Sequence, residues 1–269
     1  MSVIAHPACT EPAPETVVCR YLDLSKFRDL FASEELYLRR LDKFKESDPR
    51  EGLASDDYVR RARGLRTLDI HDEVQLIHNQ AFARQNSEGY FINCWHLFER
   101  ETLEMWNSYG NCACIFSRAD LLRSAIDAFL DPMLFGVVRY TEVGKTGYNL
   151  IDFAYTKRFQ FHGDRELRIL LQCYDPLAGM NRHIGPDNTA HREPLDDINP
   201  LHPWVPDCKR RRINLKELVT EIRLAPSIRQ EVADEIRLWV HSKSFSCPVL
   251  ASDLTSSLTP SPEEFNKYA

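Results

Sequence analysis

Over Glu166-Leu167-Arg168-Ile169-Leu170-Leu171 the side chains alternate with a period of two, the signature of a strand with one apolar face. Leu167, Ile169 and Leu171 fall on one side, and Glu166, Arg168 and Leu170 on the other. A carboxylate and a guanidinium therefore share a strand face. Similar short apolar or aromatic runs at 36–38, 90–95, 112–117 and 137–140 also predict strands, and Pro248-Val249-Leu250 predicts a strand that closes a sheet.

Helical spacing appears elsewhere. Ser25 is the expected N-cap of a helix over 26–33. Between 55 and 86 there is no proline, and Leu65, Leu68, Val74, Ile77 and Phe82 recur at helical intervals, which predicts two helices that break near Ile70-His71-Asp72. Residues 99–109, 120–129 and 227–242 also read as helices, the last from Ile228, Val232, Ile236 and Val240. Helix 99–109 sits between two strands, giving a strand, helix, strand unit. The whole pattern predicts an α+β fold: a small mixed, mostly antiparallel sheet flanked by helices in a single domain.

Residues 1–20, with Pro7, Pro12 and Pro14 among small polar residues, read as a flexible tail. The globular domain is expected over 21–251, and the Ser/Thr-rich stretch 252–269 as a second tail. Residues 176–208 hold many prolines and few apolar clusters, so they read as a long loop of the kind that covers a site.

A chain of 269 residues with 43% apolar content can bury a substantial core. Its net charge of −6, spread without acidic blocks, argues against a dedicated polyanion binder, so a nucleic-acid partner is possible but not indicated by charge. No run of 18 apolar residues occurs, and the first nineteen residues lack the basic start and apolar stretch of a signal peptide. These features support neither a membrane span nor secretion, so no membrane partner is expected and the cytoplasm is the expected location.

The eight cysteines are scattered without a CxxC pair and read as buried small hydrophobes, with Cys112 and Cys114 facing one way on a strand. His183, His191, His202 and Cys208 are irregularly spaced for zinc, and no metal is expected. Lys209-Arg210-Arg211-Arg212 reads as a solvated loop in an acidic chain.

The densest chemistry lies in Glu104-Met105-Trp106-Asn107-Ser108-Tyr109 and Asp164-Arg165-Glu166-Leu167-Arg168. Trp106 and Tyr109, at i and i+3 of a helix, suit either core anchors or a stacking platform. Glu166 and Arg168 suit either a surface ion pair or a site.

These blocks occur in order with others. Tyr37-Leu38-Arg39-Arg40-Leu41-Asp42-Lys43-Phe44 leads to Asp48-Pro49-Arg50-Glu51-Gly52. Cys94-Trp95-His96, Val138-Arg139-Tyr140 and Glu221-Ile222-Arg223-Leu224-Ala225-Pro226 follow. Together, over roughly 21–251, they resemble a bacterial domain family of unassigned function. Two positions depart from that pattern: Asn107-Ser108-Tyr109 stands where the family carries Ser-His-Tyr, and His96 where it carries Ser. A role that needs the family's helix histidine does not carry over.

The order of an early aromatic strand, a helix with an aromatic or hydroxyl and a late strand with Glu also resembles, at fold level, ADP-ribosyltransferases that use NAD. That resemblance implies a nucleotide ligand and a defence or toxin-like role, with the macromolecular target unspecified. It implies Glu166, Arg168 and Tyr109 as catalytic residues, the carboxylate stabilising the oxocarbenium-like centre formed as nicotinamide leaves. Trp106, Arg39, Arg40, Tyr21 and Asp164 are then the residues expected to hold NAD, the aromatics by stacking and the arginines by meeting the pyrophosphate. Two other readings stand beside it. One is a nucleotide or nucleic-acid hydrolase in which Asp164 or Asp42 pairs with Glu166 as acid and base. The other is a noncatalytic interaction domain.

Overall fold

The computed structural model describes residues 3–46, 48, 51–52, 87, 89–129, 131–141, 150–172 and 207–254. The elements run β1 (Val17–Leu22), α1 (Leu24–Ser33), β2 (Glu35–Arg40), a 3-10 turn (Leu41–Glu46), β3 (Tyr90–His96), α2 (Leu103–Tyr109), β4 (Ala113–Arg118), α3 (Ala119–Asp127) and β5 (Met133–Val137). They continue with β6 (Arg139–Thr141), α4 (Leu150–Ala154), β7 (Thr156–Arg158), a 3-10 segment (Phe159–Asp164), β8 (Glu166–Gln172), β9 (Cys208–Arg212), α5 (Leu215–Leu218), β10 (Glu221–Leu224), α6 (Gln230–Ser242) and β11 (Val249–Ala251). The expected helices within 55–86, the 176–206 loop with its histidines and most of the C-terminal tail lie outside the described residues.

Nine of these strands form one sheet, larger than the small one expected, and mostly antiparallel as the sequence implies. Strand β3 is its axis. It pairs with β8 along its whole length, from Tyr90 opposite Gln172 to His96 opposite Glu166. Its other edge is divided: β2 pairs at Phe91 and Ile92, and β1 pairs where Cys19 faces His96. The sheet therefore forks, with β1, β4, β10 and β11 in one arm and β2 and β9 in the other, while β5 extends β8. Among its described strands only β10 and β11 run parallel, and β6 and β7 form a separate parallel pair.

Period two divides the sheet into two faces. Leu36, Leu38, Phe91, Trp95, Ile115, Leu167, Ile169 and Leu171 pack with Phe27 and Phe31 of α1, Leu122 and Ile126 of α3, and Ile236 and Val240 of α6 in the main core. The second face is covered in two parts. Helix α2 lays Met105 and Trp106 over Cys19, Tyr21, Cys114 and Phe116, while Tyr155 and Ala154 cover Tyr90, Ile92 and Leu170. The candidate site occupies the seam between these covers.

Several local expectations change. Residues 3–16 are not a loose tail: Val3 and Ala8 are buried, Ile4 N–H donates to Met133 O at 2.8 Å and Val137 N–H to Thr10 O at 2.9 Å, so the segment covers the edge of β5. Helix α1 is capped by Asp23, whose carboxylate accepts the Lys26 N–H at 2.8 Å, so the helix starts two residues earlier than a cap at Ser25 predicts. The 137–140 run breaks at Val138 into β5 and β6. Cys112 precedes β4 and packs in the main core while Cys114 lies on the other face. The 209–212 basic run is β9, a sheet-edge strand, where charged side chains discourage further pairing. Among the described residues no helix is long and apolar enough to cross a membrane.

Candidate functional site

Alternation along β8 places Glu166 and Arg168 on the second face, 3% and 1% exposed, so the pair is buried and not the solvated one that such spacing usually means. Arg168 Nη2 and Nε both lie 2.7 Å from Glu166 Oε2. Lys157, from β7, places Nζ 2.5 Å from Glu166 Oε1 and 2.9 Å from Asp164 Oδ2. Glu51 completes the cluster, with Oε1 2.7 Å from Arg168 Nη1 and Oε2 3.9 Å from Lys157 Nζ.

The backbone around Arg165 sets the rest of the geometry. Arg165 adopts a left-handed conformation at φ 43°, turning the chain sharply from the 3-10 segment into β8. That turn lets Leu97 N–H donate to Arg165 O at 2.9 Å and points the Asp164 carbonyl at His96, whose Nδ1 donates to it at 2.8 Å. The opposite ring nitrogen of His96 is left as an acceptor. Tyr109, at the end of α2, packs on His96 with ring centroids 4.8 Å apart and donates its hydroxyl to the Asp164 carboxylate. Tyr140 accepts the Glu166 N–H at 2.8 Å, and the Arg165 guanidinium lies 5.3 Å from the centre of the Phe98 ring.

Electrostatics differentiates these groups. Burial alone would raise the Glu166 pKa, but Arg168 and Lys157 outweigh it and bring the carboxyl down to about 2. Burial and the Glu166 charge push Glu51 the other way, above the usual carboxylate range, against the pull of Arg168. Lys157 is held above its ordinary value because the carboxylates overcome burial. Burial lowers the His96 pKa, which keeps the ring neutral. Burial and the neighbouring Asp164 charge hold the Tyr109 phenol well above its ordinary range.

The structure brings together four of the residues singled out in the sequence: Glu166, Arg168, Asp164 and Tyr109. Trp106 and Tyr21 lie next door as interior groups. Their rings meet edge to face at 4.8 Å, Trp106 Nε1 donates to Glu101 at 2.7 Å and Tyr21 Oη accepts the Thr102 N–H at 3.2 Å. Arg39 and Arg40, adjacent on β2, point to opposite faces. Arg40 is buried on the main-core side against Asp42 at 2.6 Å and Asp207 at 3.3 Å, while Arg39 lies over Phe44. Asp42 is thereby committed to Arg40 and is not the partner of Glu166.

Glu51, Lys157, His96 and Tyr140 complete the cluster without having been singled out as its members. Glu51 and Tyr140 stood within quoted sequence blocks, and His96 was visible as a departure from the family pattern. Lys157 carried no signal, since a lysine on a short strand is ordinarily solvated. Among the described residues no group of three or more His, Cys, Asp or Glu is arranged to hold a metal ion. Comparison of the chain with family models, curated proteins and solved structures finds no match.

Proposed function

We propose that this protein is an enzyme that binds a nucleotide and cleaves its glycosidic bond at the seam formed by Asp164, Tyr109 and Glu166, with NAD as the first substrate to test. The observation that carries this reading is a set of carboxylates fixed by buried cations, of which Asp164 is the partly exposed member and lies against half-buried Tyr109. Breaking a bond at a sugar carbon develops an oxocarbenium-like centre, and preorganised negative charge stabilises it without reorganisation during the reaction. Both Glu166 oxygens are occupied, so Glu166 acts as a positioning residue. Asp164, with a side chain 14% exposed and hydrogen-bonded to Tyr109, is the group that meets the reacting carbon. Tyr109 and Phe98 offer ring surfaces, and exposed Arg165 takes the phosphate role first sought in Arg39 and Arg40.

The test is nicotinamide release from NAD by wild type and Asp164→Asn, followed chromatographically, with a thermal-shift titration of NAD and ADP-ribose in parallel. The proposal expects release by wild type and a drop of about a hundredfold or more in the variant. Absence of both nicotinamide release and stabilisation by either ligand would sink it. If transfer to a macromolecule accompanies release, a role in bacterial defence or toxin biology follows.

A second reading, an acid-base hydrolase of other nucleotides, is favoured by Glu51 and Glu166 sharing one guanidinium while their proton affinities are driven in opposite directions. Turnover of nucleotides other than NAD would select it. Absence of turnover and of any small-molecule response would leave a macromolecular interaction domain.

A further inference from the structure

His96 is the last residue of β3, and the sheet grips its backbone from both sides: it stands opposite Cys19 of β1 and opposite Glu166 of β8. Its ring, 3% exposed, is walled by Tyr109, Tyr21 and Phe98, with centroids 4.8, 6.0 and 6.3 Å away. Backbone and ring are both confined, so Nδ1 has one direction to point, and it meets the Asp164 carbonyl at 2.8 Å. A carbonyl oxygen only accepts, so Nδ1 carries the hydrogen. Neutral imidazole in water prefers its hydrogen on Nε2, and this bond selects the other tautomer.

The direction of that carbonyl governs the Asp164 side chain. Strand β8 is fixed in the sheet between β3 and β5, so a swing of the 164–165 peptide moves Asp164 and its carboxylate and leaves the strand in place. Two hydrogen bonds from the end of β3 resist such a swing: His96 Nδ1–H to Asp164 O, and Leu97 N–H to Arg165 O at 2.9 Å. Between those two carbonyls Arg165 holds φ 43°, a conformation that a residue with a side chain keeps only where its surroundings over-determine it. Beyond the turn, the Asp164 carboxylate meets Lys157 Nζ at 2.9 Å and the Tyr109 hydroxyl. Tyr109 packs on the same imidazole, so one side chain touches both partners of the Tyr109–Asp164 hydrogen bond.

We propose that His96 is a positioning residue of this site: it holds the Asp164 turn through Nδ1 and the Tyr109 ring through its face, so that carboxylate and phenol keep one orientation toward the substrate. This rests on the reading of Asp164 as the group that meets the reacting carbon. The enclosed imidazole touches no substrate and transfers no proton. It acts on the rate only through Asp164, by keeping the carboxylate where charge develops on the sugar.

Two substitutions separate this role from simple packing. His96→Leu fills the space and has no donor, whereas His96→Asn is smaller but carries an amide N–H near the Nδ1 position. A packing role makes the leucine variant the better of the two, and a donor role makes the asparagine variant the better.

Three measurements test the proposal. In ¹⁵N-histidine spectra of the wild type, the His96 ring, identified by its loss in His96→Asn, should show a protonated Nδ1 and a bare Nε2; the opposite tautomer overturns the proposal even if no variant folds. With ¹³Cζ-labelled tyrosine, the Tyr109 line, identified by its loss in Tyr109→Phe, should move in His96→Leu and stay in place in His96→Asn. A line that stays in place in His96→Leu overturns the proposal. Nicotinamide release from NAD should fall about a hundredfold in His96→Leu and far less in His96→Asn; equal losses, or a faster leucine variant, overturn it. If the wild type releases no nicotinamide, the cleavage reading fails, and the Tyr109 line still decides whether His96 holds the Asp164 pair.

Discussion

The Glu166 carboxylate lies 2.5 Å from Lys157 Nζ, and its other oxygen belongs to Arg168, so both of its oxygens are held by cations inside the protein. Removing either cation leaves a charge without compensation. Arg168→Met takes the guanidinium from both Glu166 and Glu51, leaving Lys157 as their cation among the described residues, and a broken buried pair costs about 3–5 kcal/mol. Arg28→Ala, which removes an ion pair with Glu235 whose side chains are 49% and 48% exposed, should cost less than about 1 kcal/mol. Urea denaturation of both variants checks the contrast, and comparable losses would contradict it.

Glu166 also sets an acid limit. Its pKa falls from 4.5 in the unfolded chain to about 2, so its contribution is fully present above pH 4.5 and is lost as pH falls toward 2. The size is on the order of 3 kcal/mol. Stability measured from pH 6 to pH 2 should drop across that window, and Glu166→Gln should flatten the drop. Glu51 has the opposite sign: its raised pKa gives stability that is present below 4.5 and lost as pH rises through the folded value, a loss that Glu51→Gln should remove.

Trp106 is a structural group. Trp106→Phe deletes the hydrogen bond to buried Glu101, which also accepts the Asp253 N–H at 2.6 Å, and should cost about 1–3 kcal/mol. Titration of NAD into the variant should give the same stabilisation as in wild type. A lost response with unchanged melting temperature would show that the indole belongs to the ligand site.

Gly110 ends α2 where it crosses β1. A Cβ there would come within 2.6 Å of the Leu22 backbone, so Gly110→Ala must push the helix off the strand and should cost about 1–3 kcal/mol. Gly163, with nothing within 4 Å of its Cβ position, should accept Ala within about 0.5 kcal/mol. Thermal melts of the two variants side by side test the difference.

What the sequence determined by itself is local and periodic. Alternation at 166–171 placed Glu166, Arg168 and Leu170 on one face and Leu167, Ile169 and Leu171 on the other, because strand geometry forces successive side chains apart. The same rule, applied to 39–40, separates Arg39 from Arg40, although both were expected to meet one pyrophosphate. Helix spacing likewise identified α2, α3 and α6, with the ends displaced by a few residues, at α2 because Thr102 caps the helix by accepting the Met105 N–H.

Only the tertiary structure decided that the Glu166 face is closed. Lys157 arrives from a strand in another small sheet and Glu51 from a turn more than a hundred residues earlier. No local pattern marks either, because a charged side chain looks solvated in sequence until distant elements remove its water. Burial then fixes what those residues are: it turns an i, i+2 surface pair into an ion cluster, drives two carboxylates apart in proton affinity and makes Trp106 part of the core.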